Sequence, residues 1–139
     1  MKPDLGTHLN AFLEKPNLAR LATSRDDHPH VVPIWFLWEE GALWFSSYEA
    51  TQKIHNLRGN RQCALVIDVQ QADHGITGVL FEGEAEILKL DIDENRQRAE
   101  RLYRKYLGEV GIQDREPQVW LNSPENRLIK ITPVHQVIW

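Results

Sequence analysis

The sequence predicts a mainly β fold: a small antiparallel barrel of about six strands with flanking helices, in one domain over residues 1–139. Short β-branched and aromatic runs alternate with turn residues, as in strands that are joined as hairpins. Such strands, with few helices between them, do not build a doubly wound parallel sheet. The length fits one compact domain. Side chains fill the interior of so small a barrel, so a ligand is expected outside it, in a groove against a partner.

The first half of the chain predicts a helix and then a meander of strands. Residues 4–15 carry Leu5, Leu9, Phe12 and Leu13 at helical spacing, and Pro16 ends this pattern. Strands are predicted over residues 17–24, 30–38 and 42–47, with turns at 25–29 and 39–41.

The second half predicts two longer strands, one long helix and a final strand pair. A short helix over 50–57 precedes strands at 61–69 and 77–89, which a polar loop over 70–76 separates. Gly78 and Gly83 lie inside the second of these strands, where glycine often marks a bulge or a close approach. A helix is predicted over 91–108, a further helical turn over 117–121, and strand pieces over 127–131 and 134–139 hinged at Pro133.

Composition limits the classes of partner. Sixteen Lys and Arg against twenty Asp and Glu give a net charge of −4, which offers no general attraction for nucleic acid or anionic lipid. The single cysteine, Cys63, forms no internal disulfide and excludes a four-cysteine zinc site. The longest apolar run, residues 31–38, is far too short to span a bilayer, and no signal segment follows Met1. We therefore expect a soluble cytoplasmic protein with a small-molecule substrate.

The segment 46–53 ends a strand and opens a helix with three hydroxyls and a lysine. Helix N-termini present unpaired N–H groups, so Ser46, Ser47, Thr51 and Lys53 form a candidate phosphate cradle. Hydroxyl side chains are also the usual helix caps, and a capped helix with a surface lysine is the alternative that spacing alone favours.

The strand over residues 30–36 is apolar but is interrupted by Pro33, which cannot donate to a sheet ladder. A flat aromatic ligand would suit the apolar surface and any freed backbone N–H groups. An ordinary edge strand that packs in the core is the alternative.

Other candidate residues have ordinary explanations. Residues 26–30 (Asp-Asp-His-Pro-His) have the residue types of a metal site, but also those of a polar hairpin turn, and no metal site is predicted. His55 and His74 are expected at the surface. Arg58 and Arg61 could bind an anion or could simply be a solvated helix end. No motif of a serine hydrolase, a zincin or a Rossmann domain is present.

Several segments together resemble the pyridoxamine 5'-phosphate oxidase-like flavin-binding split barrels. They are Leu-Ala-Arg-Leu-Ala-Thr at 18–23, His-Val-Val-Pro-Ile-Trp-Phe at 30–36, Leu-Trp-Phe-Ser-Ser at 43–47, Lys-Ile-His-Asn-Leu-Arg-Gly-Asn-Arg at 53–61, Phe-Glu-Gly-Glu-Ala-Glu at 81–86 and Ile-Lys-Ile-Thr-Pro at 129–133. Each motif is weak alone, but their order and spacing over most of the chain are fairly specific.

The resemblance implies a homodimer with flavin mononucleotide (FMN) in two grooves at the subunit interface. It implies that Val32, Pro33, Ile34 and Trp35 line the isoalloxazine ring, and that Ser46, Ser47, Gln52 and Lys53 hold the ribityl chain and phosphate. Lys53 matches a phosphate-binding lysine of the family, whereas Gln52 stands where pyridoxamine phosphate oxidase itself usually has arginine. The sequence also ends soon after Pro133, so we expect a short relative and not that enzyme.

The function that this resemblance implies is hydride transfer at the bound flavin, in an FMN-dependent oxidoreductase. Because such a cofactor carries the difficult chemical step, the lack of a catalytic triad is no evidence against catalysis. Three alternatives stay open. One is a reductase that uses the deazaflavin coenzyme, and another is a non-catalytic flavin- or haem-binding protein, which for haem would need a histidine that reaches the groove. The third is a barrel that has lost its cofactor and serves as an interaction module.

Overall fold

The structure, a computed structural model, describes residues 5–139 and has the mainly β architecture that the sequence predicts. Its helices and strands are, in chain order, α1 (Leu5–Glu14), β1 (Ala19–Arg25), β2 (His28–Ile34), β3 (Leu37–Glu39), β4 (Ala42–Tyr48), α2 (Gln52–Gly59), β5 (Gln62–Asp73), β6 (Ile76–Lys89), α3 (Asp93–Gly111), α4 (Arg115–Asn122) and β7 (Asn126–Ile138).

The strands form one antiparallel sheet in the order β2-β1-β5-β6-β7-β4-β3. Its two edge strands, β2 and β3, follow each other in the chain with only Trp35 and Phe36 between them. The two edges of the sheet are therefore close together there, and the barrel is split between them. The predicted single strand over residues 30–38 is in fact these two strands, so residues 5–139 contain seven strands and not six.

Three hairpins use two-residue turns in which both residues have positive φ, the geometry that matches the twist of the flanking strands. The turns are Asp26-Asp27 (φ 51° and 62°), Glu40-Gly41 (56° and 68°) and His74-Gly75 (53° and 78°). The last turn corrects the predicted polar loop over 70–76, because β5 runs to Asp73 and β6 begins at Ile76. The polar composition of this segment reflects exposed strand ends and not a loop.

A bulge replaces the hinge predicted at Pro133. Strand β7 is continuous, and the register shifts so that Glu82 pairs with His135 while Gly83 pairs with Pro133, which leaves Val134 as the extra residue. A Cβ on Gly83 would collide with the carbonyl oxygen of Thr132. The close approach predicted for the glycines of this strand is therefore confirmed.

Two apolar clusters hold the fold together, one inside the barrel and one outside it. The inner core joins the barrel interior to α1 and α2, and includes Phe12, Phe36, Phe45, Ile54, Leu57 and Phe81. The outer core packs α3 and α4 onto the outer face of the sheet, and includes Trp44, Leu102, Tyr103, Leu121 and Leu128. Alternate residues of β4 enter the two clusters, because successive strand side chains point to opposite faces.

The long helix α3 has helical geometry up to Gly108, whose φ of 77° and ψ of 179° interrupt it where the sequence predicts its end. Helix α4 is longer than the helical turn predicted at 117–121. No helix in the described part of the chain is both long and apolar enough to cross a lipid bilayer.

Candidate functional site

A cavity of about 360 Å³ lies where β2 and β4 end, between the start of α2 and the pair α3 and α4. This volume falls in the range of small-molecule pockets. The cavity lies outside the barrel interior. This is the location that the sequence predicts for a ligand. Its lining residues are Ile34, Trp35, Ser46, Ser47, Tyr48, Thr51, Lys53, Leu102, Tyr103, Trp120 and Asn126.

Aromatic rings form one wall of the cavity. Trp35 stacks on Tyr106, with ring centroids 4.8 Å apart and planes 3° from parallel. The ring centroid of Trp120 lies 6.4 Å from that of Trp35 and 5.3 Å from that of Tyr103, and both pairs are T-shaped. Such pairs stabilise one another by about 0.5–1.5 kcal/mol beyond the area that they bury. The wall is thus a fixed apolar surface against which a flat ring could lie.

A hydrogen-bonded polar group lies beside this wall. The hydroxyls of Ser46 and Tyr103 are 2.7 Å apart. The buried amide of Asn126 donates to the Tyr103 oxygen at 2.8 Å and to the carbonyl of Trp120 at 3.0 Å. Burial raises the pKa of Tyr103, so the phenol keeps its proton. Ser46 can therefore accept from Tyr103 and present its own proton to the cavity.

Helix α2 begins at the opposite end of the cavity without a side-chain cap. Thr51 occupies the N-cap position but makes no capping hydrogen bond. Its hydroxyl donates to the carbonyl of Tyr48 at 2.9 Å and lies 2.7 Å from the hydroxyl of Ser47. The capping alternative for these hydroxyls is therefore wrong. The first-turn N–H groups of α2 have no partner inside the helix and are available to an anion.

Lys53 brings a positive charge to this end of the cavity. Its side chain is half-buried, and it makes no hydrogen bond or ion pair with any residue that the structure describes. Burial lowers the pKa of its ammonium group, because no neighbouring charge offsets the loss of water. An anion that bound here would supply the missing partner.

The two arginines near the end of α2 are already paired with carboxylates. Arg58 donates to both carboxylate oxygens of Glu49, at 2.6 and 2.8 Å. Arg61 donates to Glu84 at 2.8 Å. Neither lines the cavity, so the structure favours a paired helix end over the anion-binding role considered for them.

Comparison with protein families identifies the chain. The family model described as pyridoxamine 5'-phosphate oxidase matches residues 5–137. The chain belongs to the pyridoxamine 5'-phosphate oxidase family. Comparison with curated proteins gives no match.

Several solved structures share the fold of this chain. An F420 reductase is 22% identical, with a TM-score of 0.70 over 92% of this chain and 94% of its own. A FAD-binding protein of Mesorhizobium loti is 17% identical, with a TM-score of 0.67 over 91% and 88%. The haem storage protein HutZ of Vibrio cholerae is 14% identical, with a TM-score of 0.75 over 96% and 94%. At these identities they show the fold, and the split barrel predicted from the sequence is confirmed.

Five of the eight residues that the family resemblance assigns to the cofactor line this cavity, namely Ile34, Trp35, Ser46, Ser47 and Lys53. The other three lie elsewhere. Val32 packs against the inner core and Pro33 is exposed on the edge strand β2, which confirms the edge position that its sequence predicts. Gln52 points to the other side of α2, where its amide donates to Asn56 at 2.8 Å.

The sequence does not single out Tyr103, Trp120 or Asn126 as ligand residues. Tyr103 was visible only as part of the apolar stripe of a helix, and Trp120 only as one of five tryptophans. Their place at the cavity depends on contacts across more than fifty positions, such as Ser46 with Tyr103, which local spacing does not encode.

Proposed function

We propose that this protein is an FMN-dependent oxidoreductase that holds the flavin in the cavity at Lys53, with a second copy of the chain closing the groove. The observation that carries the proposal is the half-buried ammonium of Lys53, which lacks an acceptor among the described residues beside an uncapped helix start. The family resemblance supports this proposal, because Lys53 matches a lysine that binds the flavin phosphate in that family.

The residues present fit a phosphate at this end of the cavity. Lys53 supplies a charge-assisted hydrogen bond, and the first-turn N–H groups of α2 point their partial positive charge the same way. Ser47 and Thr51 fix each other 2.7 Å apart and shape the entrance to the helix start. Among residues 5–139, no carboxylate lines the cavity to repel the anion.

The remainder of the cavity fits the ribityl chain and the ring. Ser46 presents a hydroxyl in the same cavity, and Tyr103 orients that hydroxyl. Ile34 and Trp35 offer an apolar surface at the end of β2. Because β2 is an edge strand, some of its backbone groups face away from β1 and can bond the heteroatoms of the ring.

When bound, the flavin supplies hydride transfer at its ring nitrogen. The chain supplies position and electrostatics: Lys53 and α2 anchor the charged end, while the aromatic wall fixes the ring and excludes water from one side. Tyr103, which lines the cavity, holds a proton at its hydroxyl and shares a hydrogen bond with Ser46. No side chain here needs to act as a nucleophile.

A homodimer is part of the proposal. Large apolar side chains are exposed outside the cavity: Val31 on β2 (65% exposed), Val134 on β7 (82%) and Trp139 just after β7 (51%). Exposed apolar surface of this kind is typical of an interaction site. A second copy packed against Val31 would cover the free edge of β2, along which the ring is proposed to lie.

The deazaflavin coenzyme is the second candidate, and the fold shared with an F420 reductase favours it. Haem is less favoured, although a haem storage protein shares the fold. In the part of the chain that the structure describes, no histidine lines the cavity: His28, His30 and His55 line another one, and His74 lies in the β5–β6 turn.

The test is a titration of the purified protein, at matched concentrations, with FMN, the deazaflavin coenzyme and haemin, followed by absorption and flavin fluorescence. We expect saturable binding of FMN at one molecule per chain, and bleaching of the bound flavin when NADH or NADPH is added without oxygen. Preferential binding of the deazaflavin would support the second candidate. Binding of haemin alone, or of none of the three, would contradict the proposal.

A further inference from the structure

A second cavity, of about 420 Å³, lies on the other side of α2 from Lys53. It is bounded by the β1–β2 hairpin and by the face of α2 that Gln52 and Asn56 occupy. It is separate from the cavity at Lys53, and Gln52 is its one lining residue that the family resemblance assigns to the cofactor. Its lining residues are Arg25, Asp26, His28, Pro29, His30, Gln52, His55 and Asn56.

The guanidinium of Arg25 is fixed at this cavity without a carboxylate partner. One of its terminal nitrogens donates to the carbonyl of His55 at 2.7 Å and lies 3.4 Å from the imidazole Nδ1 of the same residue. The group lies over Gly59, where an added Cβ would come within 2.7 Å of its Nε. No ion pair of Arg25 occurs in the described part of the chain. Its charge is thus held in place but not neutralised.

Three histidines line the same cavity as this guanidinium. His28 stands opposite Arg25 in the hairpin register, and His55 contacts it directly. His30 is half-buried, and its Nδ1 is shielded from solvent with no hydrogen-bond partner in the region that the structure covers. Buried polar atoms are nearly always satisfied, so an unpaired one indicates a missing partner. The floor of the cavity is fixed, because buried Asn56 donates to Thr23 at 3.1 Å and accepts from Gln52.

One carboxylate, that of Asp26, also lines the cavity and reduces its positive charge. Histidine and aspartate are metal ligands, but no three such side chains among residues 5–139 converge as a metal site requires. The charge of Arg25 would also repel a cation. An arginine with neighbouring imidazole N–H groups is instead the donor set that recognises an oxyanion.

We infer that this second cavity is a binding site for a phosphate or carboxylate group, with Arg25 as its main anchor. The inference does not depend on the proposed flavin function. The group could belong to a free small anion or to the acidic extension of a longer ligand that reaches past α2.

Inorganic phosphate is the probe for the site, and the imidazole resonances of His28, His30 and His55 in NMR spectra are the readout. We expect phosphate to shift these resonances saturably, and Arg25→Gln to raise the dissociation constant about tenfold or more. Asp26→Asn should lower the dissociation constant for phosphate, because it removes the carboxylate that lines the cavity. Asparagine also suits the left-handed backbone at this position (φ 51°). Arg20→Gln, on the same strand but paired with Asp68, is the matched control and should change nothing.

Gly59→Ala separates a specific site from a diffuse charge effect. It keeps every charge and suits a helix, but it displaces the guanidinium of Arg25, so phosphate binding should weaken without loss of thermal stability. The inference is overturned if phosphate leaves the imidazole resonances unmoved, or if Arg25→Gln responds like Arg20→Gln.

A comparison of FMN with FAD identifies the source of the anion. If Arg25→Gln weakens FAD more than FMN, the group belongs to an extended ligand; if it affects both equally while phosphate binding is lost, the occupant is a free anion. The phosphate titration uses no flavin, so its result is valid even if the protein binds no flavin. Lys53→Ala should leave the phosphate-induced shifts of the imidazole resonances unchanged.

Discussion

Replacing Lys53 with alanine should weaken FMN binding strongly while leaving the fold intact. The ammonium is half-buried and has no competing partner among the described residues, so a phosphate that binds here would gain a full charge-assisted hydrogen bond. Such a bond contributes about 1.5–3 kcal/mol, which corresponds to a rise in the dissociation constant of about 10- to 150-fold. The ligand-free variant should unfold at no lower temperature, because it loses a desolvated charge and no hydrogen bond.

Fluorescence titration of FMN against both proteins measures this change, and Lys89→Ala is the matched control. Lys89 is an exposed lysine that does not line the cavity, so its removal changes the net charge equally but should leave the affinity unchanged. Equal affinities of Lys53→Ala and the wild type would refute the phosphate assignment. An equal loss in both variants would show that only the net charge matters.

The affinity for FMN should also depend on pH in a predictable direction. Burial lowers the pKa of Lys53, and only the protonated amine attracts the phosphate. Affinity should therefore fall as the pH rises through that lowered pKa, and this fall should be absent from Lys53→Ala. The same titration, repeated in steps of alkaline pH, provides the measurement.

Three further predictions concern other parts of the molecule. Arg58→Gln should leave the FMN affinity within about threefold of wild type, because Glu49 already binds both arms of its guanidinium; a larger loss would place this arginine in the site. Gly83→Ala should lower the free energy of unfolding by about 1–3 kcal/mol, since its Cβ meets the backbone of Thr132; urea denaturation measures this, and an unchanged midpoint would argue against the bulge. Burial lowers the pKa of Lys105 to about 7, far below its value in an unfolded chain. Above pH 7 the Lys105 amine is therefore protonated in the unfolded chain but largely neutral in the folded one. The free energy of unfolding of the wild type, relative to that of Lys105→Met, should rise from pH 7 towards pH 9; a constant difference would contradict this.

Most of the fold could be predicted because it is encoded locally. Turn residues and alternating apolar residues located the hairpins, and the helical stripe located α3. Two predictions, the single strand over 30–38 and the loop over 70–76, were wrong for the same reason. Residue composition does not show where the backbone changes direction. The break after Ile34 lies inside a continuous apolar run, and the β5–β6 hairpin lies inside a polar one, so neither change of direction altered the residue types.

The candidate site could be predicted only in part. Ser46, Ser47 and Lys53 form a contiguous motif at a strand-to-helix junction, and the structure brings them together. Gln52 belongs to the same motif, but a helix turns successive side chains about 100° apart, so it faces the second cavity. The opposite wall comes from α3 and α4, whose placement depends on the packing of the outer core and not on any local pattern.

A crystal structure of the protein with FMN tests the central claim most directly. We expect a phosphate oxygen about 2.7–2.9 Å from Nζ of Lys53, at the start of α2, with the ring beside Ile34 and Trp35. A flavin bound with its phosphate away from Lys53 would contradict the account.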